Sequence, residues 1–484
     1  MNKKPTRRPT HWDKSRKIVK RIVIEGQLTL ETPTSLGNGE TLGPTDMNLL
    51  RDSVDSSKAL LTGTSISGAL RSYLREVQHG YGKTSPKDSP VLALFGVTRG
   101  DDEGAQSLLI VDDARSEDPA AVEIRDGVRI NPATGTAAEG AKFDMELLQA
   151  GVTFPLRFEL LIPKDKDETG LKTALAQALH GFEKSEIPLG ARKRRGFGRC
   201  RVDGWQVMTY DLSKVDGILA WLQENESLTK PFSTIAEGLD VALPKKDEDA
   251  RQRFELDATF SLNGSLLIRA DTESGADAGH LRSERPGKGA VPVLSGTSLA
   301  GVLRHRALRI ANTLAVDDVR GPALVNELFG SSQKSVLTAS RVAVQETEVK
   351  GVRPLVQTRV KIDRFTGGAY PTALFSEEPV FGGPDSRVQV SLTLRNPKDH
   401  EVGLLLLLLK DLWTGDLPVG GESSVGRGRL KGLHADVCWQ GQTVTITQTA
   451  EGLQIAGDRG KLEKSVGALH THLTKKEATD GTDS

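Results

Sequence analysis

The chain states one pattern twice. Thr62-Gly63-Thr64-Ser65-Ile66-Ser67-Gly68-Ala69-Leu70-Arg71 returns as Ser295-Gly296-Thr297-Ser298-Leu299-Ala300-Gly301-Val302-Leu303-Arg304, a shift of 233. Leu94-Phe95-Gly96 returns as Leu328-Phe329-Gly330, a shift of 234. Val128-Arg129-Ile130-Asn131, with Thr134-Gly135 and Phe143 behind it, returns as Val360-Lys361-Ile362-Asp363 with Thr366-Gly367 and Phe375, a shift of 232. Gly190 with Gly196-Phe197-Gly198-Arg199 returns as Gly420 with Gly426-Arg427-Gly428-Arg429, a shift of 230. Blocks in one order at nearly one offset mark a tandem duplication. The unit is far longer than a solenoid repeat, so the halves are paired globular domains. At 484 residues each half is long enough to bury a core of its own.

Hydrophobic periodicity outlines the domains. Ile22, Ile24, Leu28 and Leu30 alternate with more polar neighbours and predict a first strand. Phe254, Leu256, Ala258, Phe260 and Leu262 predict its counterpart. The Thr/Ser pairs of the repeated motif are suited to cap a helix. Ile66, Leu70, Tyr73, Leu74 and Val77 then share one helical face, as do Leu299, Val302, Leu303 and Ile310. A second helix is predicted around Leu171–Phe182 and around Leu404–Leu412, each leading into a glycine loop. The expected fold is α+β, two tandem RRM-like (ferredoxin-like) domains with long insertions between the elements. The expected boundaries are a basic arm at 1–17, a first domain at 18–227, a linker at 228–252, a second domain at 253–474 and a disordered tail at 475–484.

The 64 basic and 64 acidic residues balance, which speaks against simple nonspecific binding to nucleic acid. The distribution is uneven, with nine Lys or Arg against Asp13 alone within residues 1–22, and a second cluster at Arg192-Lys193-Arg194-Arg195. Cys200 and Cys438 form no CxxC and no disulfide framework, which fits a reducing cytosol, and a cytoplasmic protein is expected. The run Leu404–Leu409 is too short to span a bilayer and reads as a buried helix, so no membrane partner is expected. No HExxH, Walker or GxSxG pattern occurs, and the nine histidines do not recur at repeat positions.

Glycine loops ending in Arg199 and Arg429 can bring a backbone close to a partner and expose amides to an anion. The alternative is a tight turn between helix and strand. The Gly-Thr-Ser helix start is a possible anion site, with Arg71 and Arg304 two turns inside the helix. The alternative is a plain cap.

The order of these elements resembles the RAMP superfamily of CRISPR systems. It is most similar to the backbone subunits of type III effector complexes, here as two units fused, over roughly residues 18–210 and 253–435. The resemblance implies an RRM-like core in each half that grips CRISPR guide RNA by its backbone, and thumb hairpins around Arg129–Phe143 and Lys361–Phe375. The implied RNA contacts are Thr64, Ser65, Arg71, Arg192, Lys193, Arg194, Arg195, Arg199, Thr297, Ser298, Arg304, Arg427 and Arg429. Ser67 and Ala300 stand where the family often has lysine. Gly421-Glu422-Ser423-Ser424 replaces the basic cluster of the first loop, so the halves are expected to hold RNA with unequal strength or to face different partners.

The resemblance also implies cleavage of complementary target RNA by an Asp between the first strand and the Gly-Thr-Ser motif. Asp46 carries that role in the first half, with Asp52 as fallback. Asp277 carries it in the second, with Asp271 as fallback and His280 as another reading. Such an Asp holds Mg²⁺ or a similar divalent ion, or helps deprotonate the 2′-hydroxyl that attacks in line. The expected partners are guide RNA, target RNA and the other RAMP-type, small and large subunits of the complex. The rival readings are a non-catalytic guide-RNA scaffold, a CRISPR RNA processing endoribonuclease of the same superfamily, and a two-domain structural or adhesion protein.

Overall fold

A computed structural model describes residues 17–39, 48–97, 106–131, 133–223, 229–272, 274–333 and 336–475. In the first half, Ile18–Leu30 is the central strand, paired antiparallel with Thr153–Pro163 on one side and Cys200–Asp211 on the other. Leu109–Val111 adds to the far side of Thr153–Pro163. Helix Gly63–His79 follows the first strand, and helix Glu168–Glu183 joins Thr153–Pro163 to Cys200–Asp211. Strand–helix–strand–strand–helix–strand with this pairing is the ferredoxin-like arrangement. The second half repeats it with Arg253–Asn263 between Arg387–Arg395 and Arg429–Trp439, and with Val342–Val344 outside Arg387–Arg395.

The cores lie where the periodicity places them. Ile22, Ile24, Leu28 and Leu30 face Ile66, Leu70, Leu74, Leu171, Leu175 and Phe182 in one cluster. Phe254, Leu256, Phe260, Leu299, Leu303 and Leu408 belong to the other. Val23 is also buried, because a helix at Val215–Leu222 covers the opposite face of the first sheet through Met208 and Tyr210. The leucine run is buried nearly all round in helix Asp399–Trp413, against helix Arg459–Thr474. Gly403 is needed there, since a Cβ would strike the Ser465 carbonyl. Among the described residues no helix is long and apolar enough to cross a membrane.

Two differences from the sequence reading have local causes. The caps are Thr62 and Ser295, one residue before the glycine, whose hydroxyls accept from the amides of Ser65 and Ser298. The segment taken as a linker contributes to the first domain: Lys230–Phe232 pairs with Cys200–Asp211, and Ile235 and Leu239 enter the first core. The arm before Lys17 and the tail after Lys475 lie outside the described residues.

Each half carries a long hairpin between its third and fourth blocks of structure. The first joins Val122–Ile130 to Ala137–Leu148, and the second joins Gln357–Ile362 to Ala369–Glu378. They stand where the thumb insertions are expected.

Candidate nucleic-acid interface

The repeated motifs meet across the junction of the halves. The first glycine loop sits on the start of the second Gly-Thr-Ser helix. A Cβ on Gly196 would strike the Glu346 amide, and one on Gly296 would strike the Arg195 carbonyl. This contact half-buries Thr297 and Ser298, while Thr64 and Ser65 at the equivalent positions are exposed. The second glycine loop makes no such contact at Gly426, where a Cβ would meet nothing.

The glycines themselves serve the turns. Gly198 and Gly428 have positive φ, and their missing side chains let the chain pass the carbonyls of Leu189 and Val419. Their amides donate to the carbonyls of Pro33 and Ser265. The anion cradle expected of these amides is therefore replaced by a turn. The first helix start is likewise filled, since the Gly63 amide donates to Asp113 Oδ1 at 2.7 Å.

The arginines divide into braces and a cationic strip. Arg304 donates to the Gly330 carbonyl at 2.6 Å and to Asn326 Oδ1 at 2.7 Å, tying its helix to the end of the Leu-Phe-Gly helix. Arg427 points inward, 3% exposed, held by Glu422 at 2.6 Å and Gln357 at 3.0 Å. It faces no solvent, so the expected RNA contact is replaced by an internal one. Arg199 pairs with Glu31 at 2.6 Å and stays half-exposed. Arg429 is exposed, Arg71 is half-buried, and Arg192 lies over the Phe143 ring at 4.6 Å.

Lys193, Arg194 and Arg395 gather around Glu76, while Arg195 lies beside Arg304 and Arg192. Burial, then the neighbouring cations, pull Lys193, Arg194 and Arg195 below their ordinary pKa values. The fold thus holds like charges together at the junction, Lys193 exposed and Arg194 and Arg195 half-buried, an arrangement that a polyanion relieves. Arg395 was not singled out in the sequence, because nothing at a strand end signals that another domain's basic loop will reach it.

Of the acidic residues, Asp46 lies outside the described residues. Asp52 is a turn residue. It accepts from the amides of Val54 and Asp55 and pairs with Arg115 at 2.8 Å, and it is 6% exposed. Those amide bonds, the Asp55 one foremost, hold its carboxyl below the usual range. Asp271 is exposed on the second-half loop. Asp277 is exposed on the same loop, and its Oδ2 accepts from the Ser376 amide at 2.6 Å and Ser376 Oγ at 3.2 Å. His280 is 5% exposed; its Nδ1 accepts from the Ile268 amide and its Nε2 donates to the Val293 carbonyl. Burial pushes its pKa down to about 4, so it stands as a neutral brace under the loop rather than a base on it. Among the described residues no group of three or more His, Cys, Asp or Glu side chains could hold a metal ion.

Two ferredoxin-like domains of one pattern, each with a hairpin and an arginine-ended glycine loop, define a duplicated protein whose cationic junction suits an extended polyanion. The profile of the RAMP superfamily matches residues 27–201 and 259–431, and the chain belongs to that superfamily. Membership supports a CRISPR-associated, RNA-binding role in general terms. No curated protein matches the chain.

Proposed function

We propose that this chain is a guide-RNA-binding backbone subunit of a type III CRISPR interference complex, working in the cytoplasm beside other RAMP-type, small and large subunits. The observation that carries the reading is the strip of Lys193, Arg194, Arg195 and Arg395 at the junction, where the cations outnumber the carboxylate among them. Such a strip holds phosphates without reading bases, which a variable guide requires. Exposed Thr64, Ser65 and Arg429, with half-buried Arg71, would extend the track.

We further propose that the subunit cuts complementary RNA, with Asp46 and Asp277 as the acting carboxylates. At Asp277 one oxygen holds Ser376, which fixes the side chain; the other is left for a 2′-hydroxyl proton or a cation. The donor set fits a divalent ion only through this one carboxylate, with RNA and water supplying the rest. An ion there would stabilise charge on the scissile phosphate. The processing reading lacks a free histidine base at the second-half loop, since both ring nitrogens of His280 are bonded.

The test of backbone gripping is binding of two guide RNAs of unrelated sequence to the assembled protein. Equal affinity supports the reading. A preference of more than about tenfold, the scale of one read base pair, would contradict it.

A further inference from the structure

The two hairpins are fastened to their domains by opposite chemistries at matching positions. In the first half Met145, Leu147 and Phe197 are buried together with Phe143, and Arg192 and Arg125 lie over the rings of Phe143 and Phe197. At the repeat shifts, Glu377 replaces Met145, Arg427 replaces Phe197 and Glu422 replaces Arg192. There Arg269 reaches Glu377 at 2.7 Å and Glu422 at 3.3 Å, and Arg359 reaches Glu422 at 3.2 Å. Arg427 holds Glu422 at 2.6 Å and approaches Glu377 at 3.6 Å. At these matched positions an apolar cluster in one half is an ionic one in the other.

The ionic fastening adjoins the second-half loop. Glu377 is 2% exposed, and its neighbours on the strand grip that loop: Ser376 holds Asp277, and Glu378 Oε2 accepts from Thr272 Oγ1 at 2.8 Å. Backbone pairing of Ala278 with Glu377 joins the same two segments, and Arg269 lies at the loop's other end. Successive residues of a strand point to opposite faces, so the residue that enters the ion cluster and the one that holds Asp277 move as one unit.

We propose that Glu377 is a positioning residue for Asp277, setting where the second-half carboxylate stands through the hairpin strand. The proposal rests on the reading of Asp277 as the acting group. It also leaves the first hairpin untouched, because Met145 and Phe197 stand there at the positions of Glu377 and Arg427.

The test uses the assembled full chain with Glu377→Gln, which keeps the shape and leaves Glu422 alone among the guanidiniums. Amide exchange should quicken over 274–281 and 369–378 and stay unchanged over 122–148. The cut that Asp277→Ala abolishes should slow about tenfold or more, as a displaced reacting group does, with the other cut as internal control. The transplant Glu377→Met, Glu422→Arg, Arg427→Phe should restore protection and rate, which a merely structural defect would not allow. Wild-type exchange over 274–281 in Glu377→Gln, or quickening over both halves alike, would overturn the proposal. If Asp277→Ala abolishes no cut, the functional reading fails, and the exchange arm still decides whether Glu377 positions the loop.

Discussion

Arg125 and Glu346, 221 residues apart in the chain, form a two-pronged ion pair buried between the halves, with Nη2 to Oε1 at 3.1 Å. Their side chains are 4% and 0% exposed. Arg285 adds a second guanidinium to Glu346 at 2.7 Å, and Glu123 pairs with Arg125 while accepting from Ser283. Two cations and two carboxylates close the cluster, so the buried charge is balanced. Burial alone would raise the Glu346 carboxyl; the two arginines win and hold it below its usual range.

Glu346→Gln should therefore destabilise the chain by about 3 kcal/mol or more, since it leaves Arg125 and Arg285 buried with too little negative charge. Chemical denaturation should show the halves melting apart, with an early transition absent from wild type. A single wild-type-like transition would mean that the seam does not couple the domains.

Binding of guide RNA should weaken with salt, because the strip at Lys193, Arg194 and Arg395 would displace counterions from phosphates. Each phosphate contact on a single strand contributes about −0.7 to the slope of log affinity against log salt. Lys193→Glu with Arg194→Glu should flatten that slope by roughly one unit or more. Affinity lost with the slope intact would place the RNA elsewhere.

His280 predicts a pH dependence of stability. Its folded pKa lies below its ordinary value, so the unfolded chain binds the proton more readily. The stability it contributes is complete above its ordinary value of about 6.5 and is lost as pH falls toward about 4. His280→Asn should be less stable at neutral pH, and its stability curve should be flatter across that window. An unchanged acid slope would show that His280 does not titrate on unfolding.

Much of this architecture is legible in the sequence because it rests on local rules. The alternation at Ile22–Leu30 and the helical spacing at Leu171–Phe182 place the first core, the alternation at Phe254–Leu262 places the second, and the repeat shift alone pairs the domains. What is not legible depends on which segments meet. Arg427 and Arg429 stand two residues apart in one motif, yet Arg427 is buried on Glu422, which stands at a left-handed turn beside it, while Arg429 reaches solvent. Asp52 and Asp277 are both loop acids. Only the fold shows that one holds a turn with Arg115 and the other rests on the far hairpin. Arg125 carries no sequence signal, since its partner lies in the other domain.

A cleavage ladder decides whether each half cuts RNA. The protein is assembled with guide RNA and partner subunits and given end-labelled complementary RNA, with Mg²⁺ or with EDTA. The chains compared are wild type, Asp46→Ala, Asp277→Ala and Asp52→Ala. Two metal-dependent cuts at a fixed spacing are expected, one lost in Asp46→Ala, the other lost in Asp277→Ala, and both kept in Asp52→Ala. Target bound but uncut by wild type would contradict this and make the chain a scaffold.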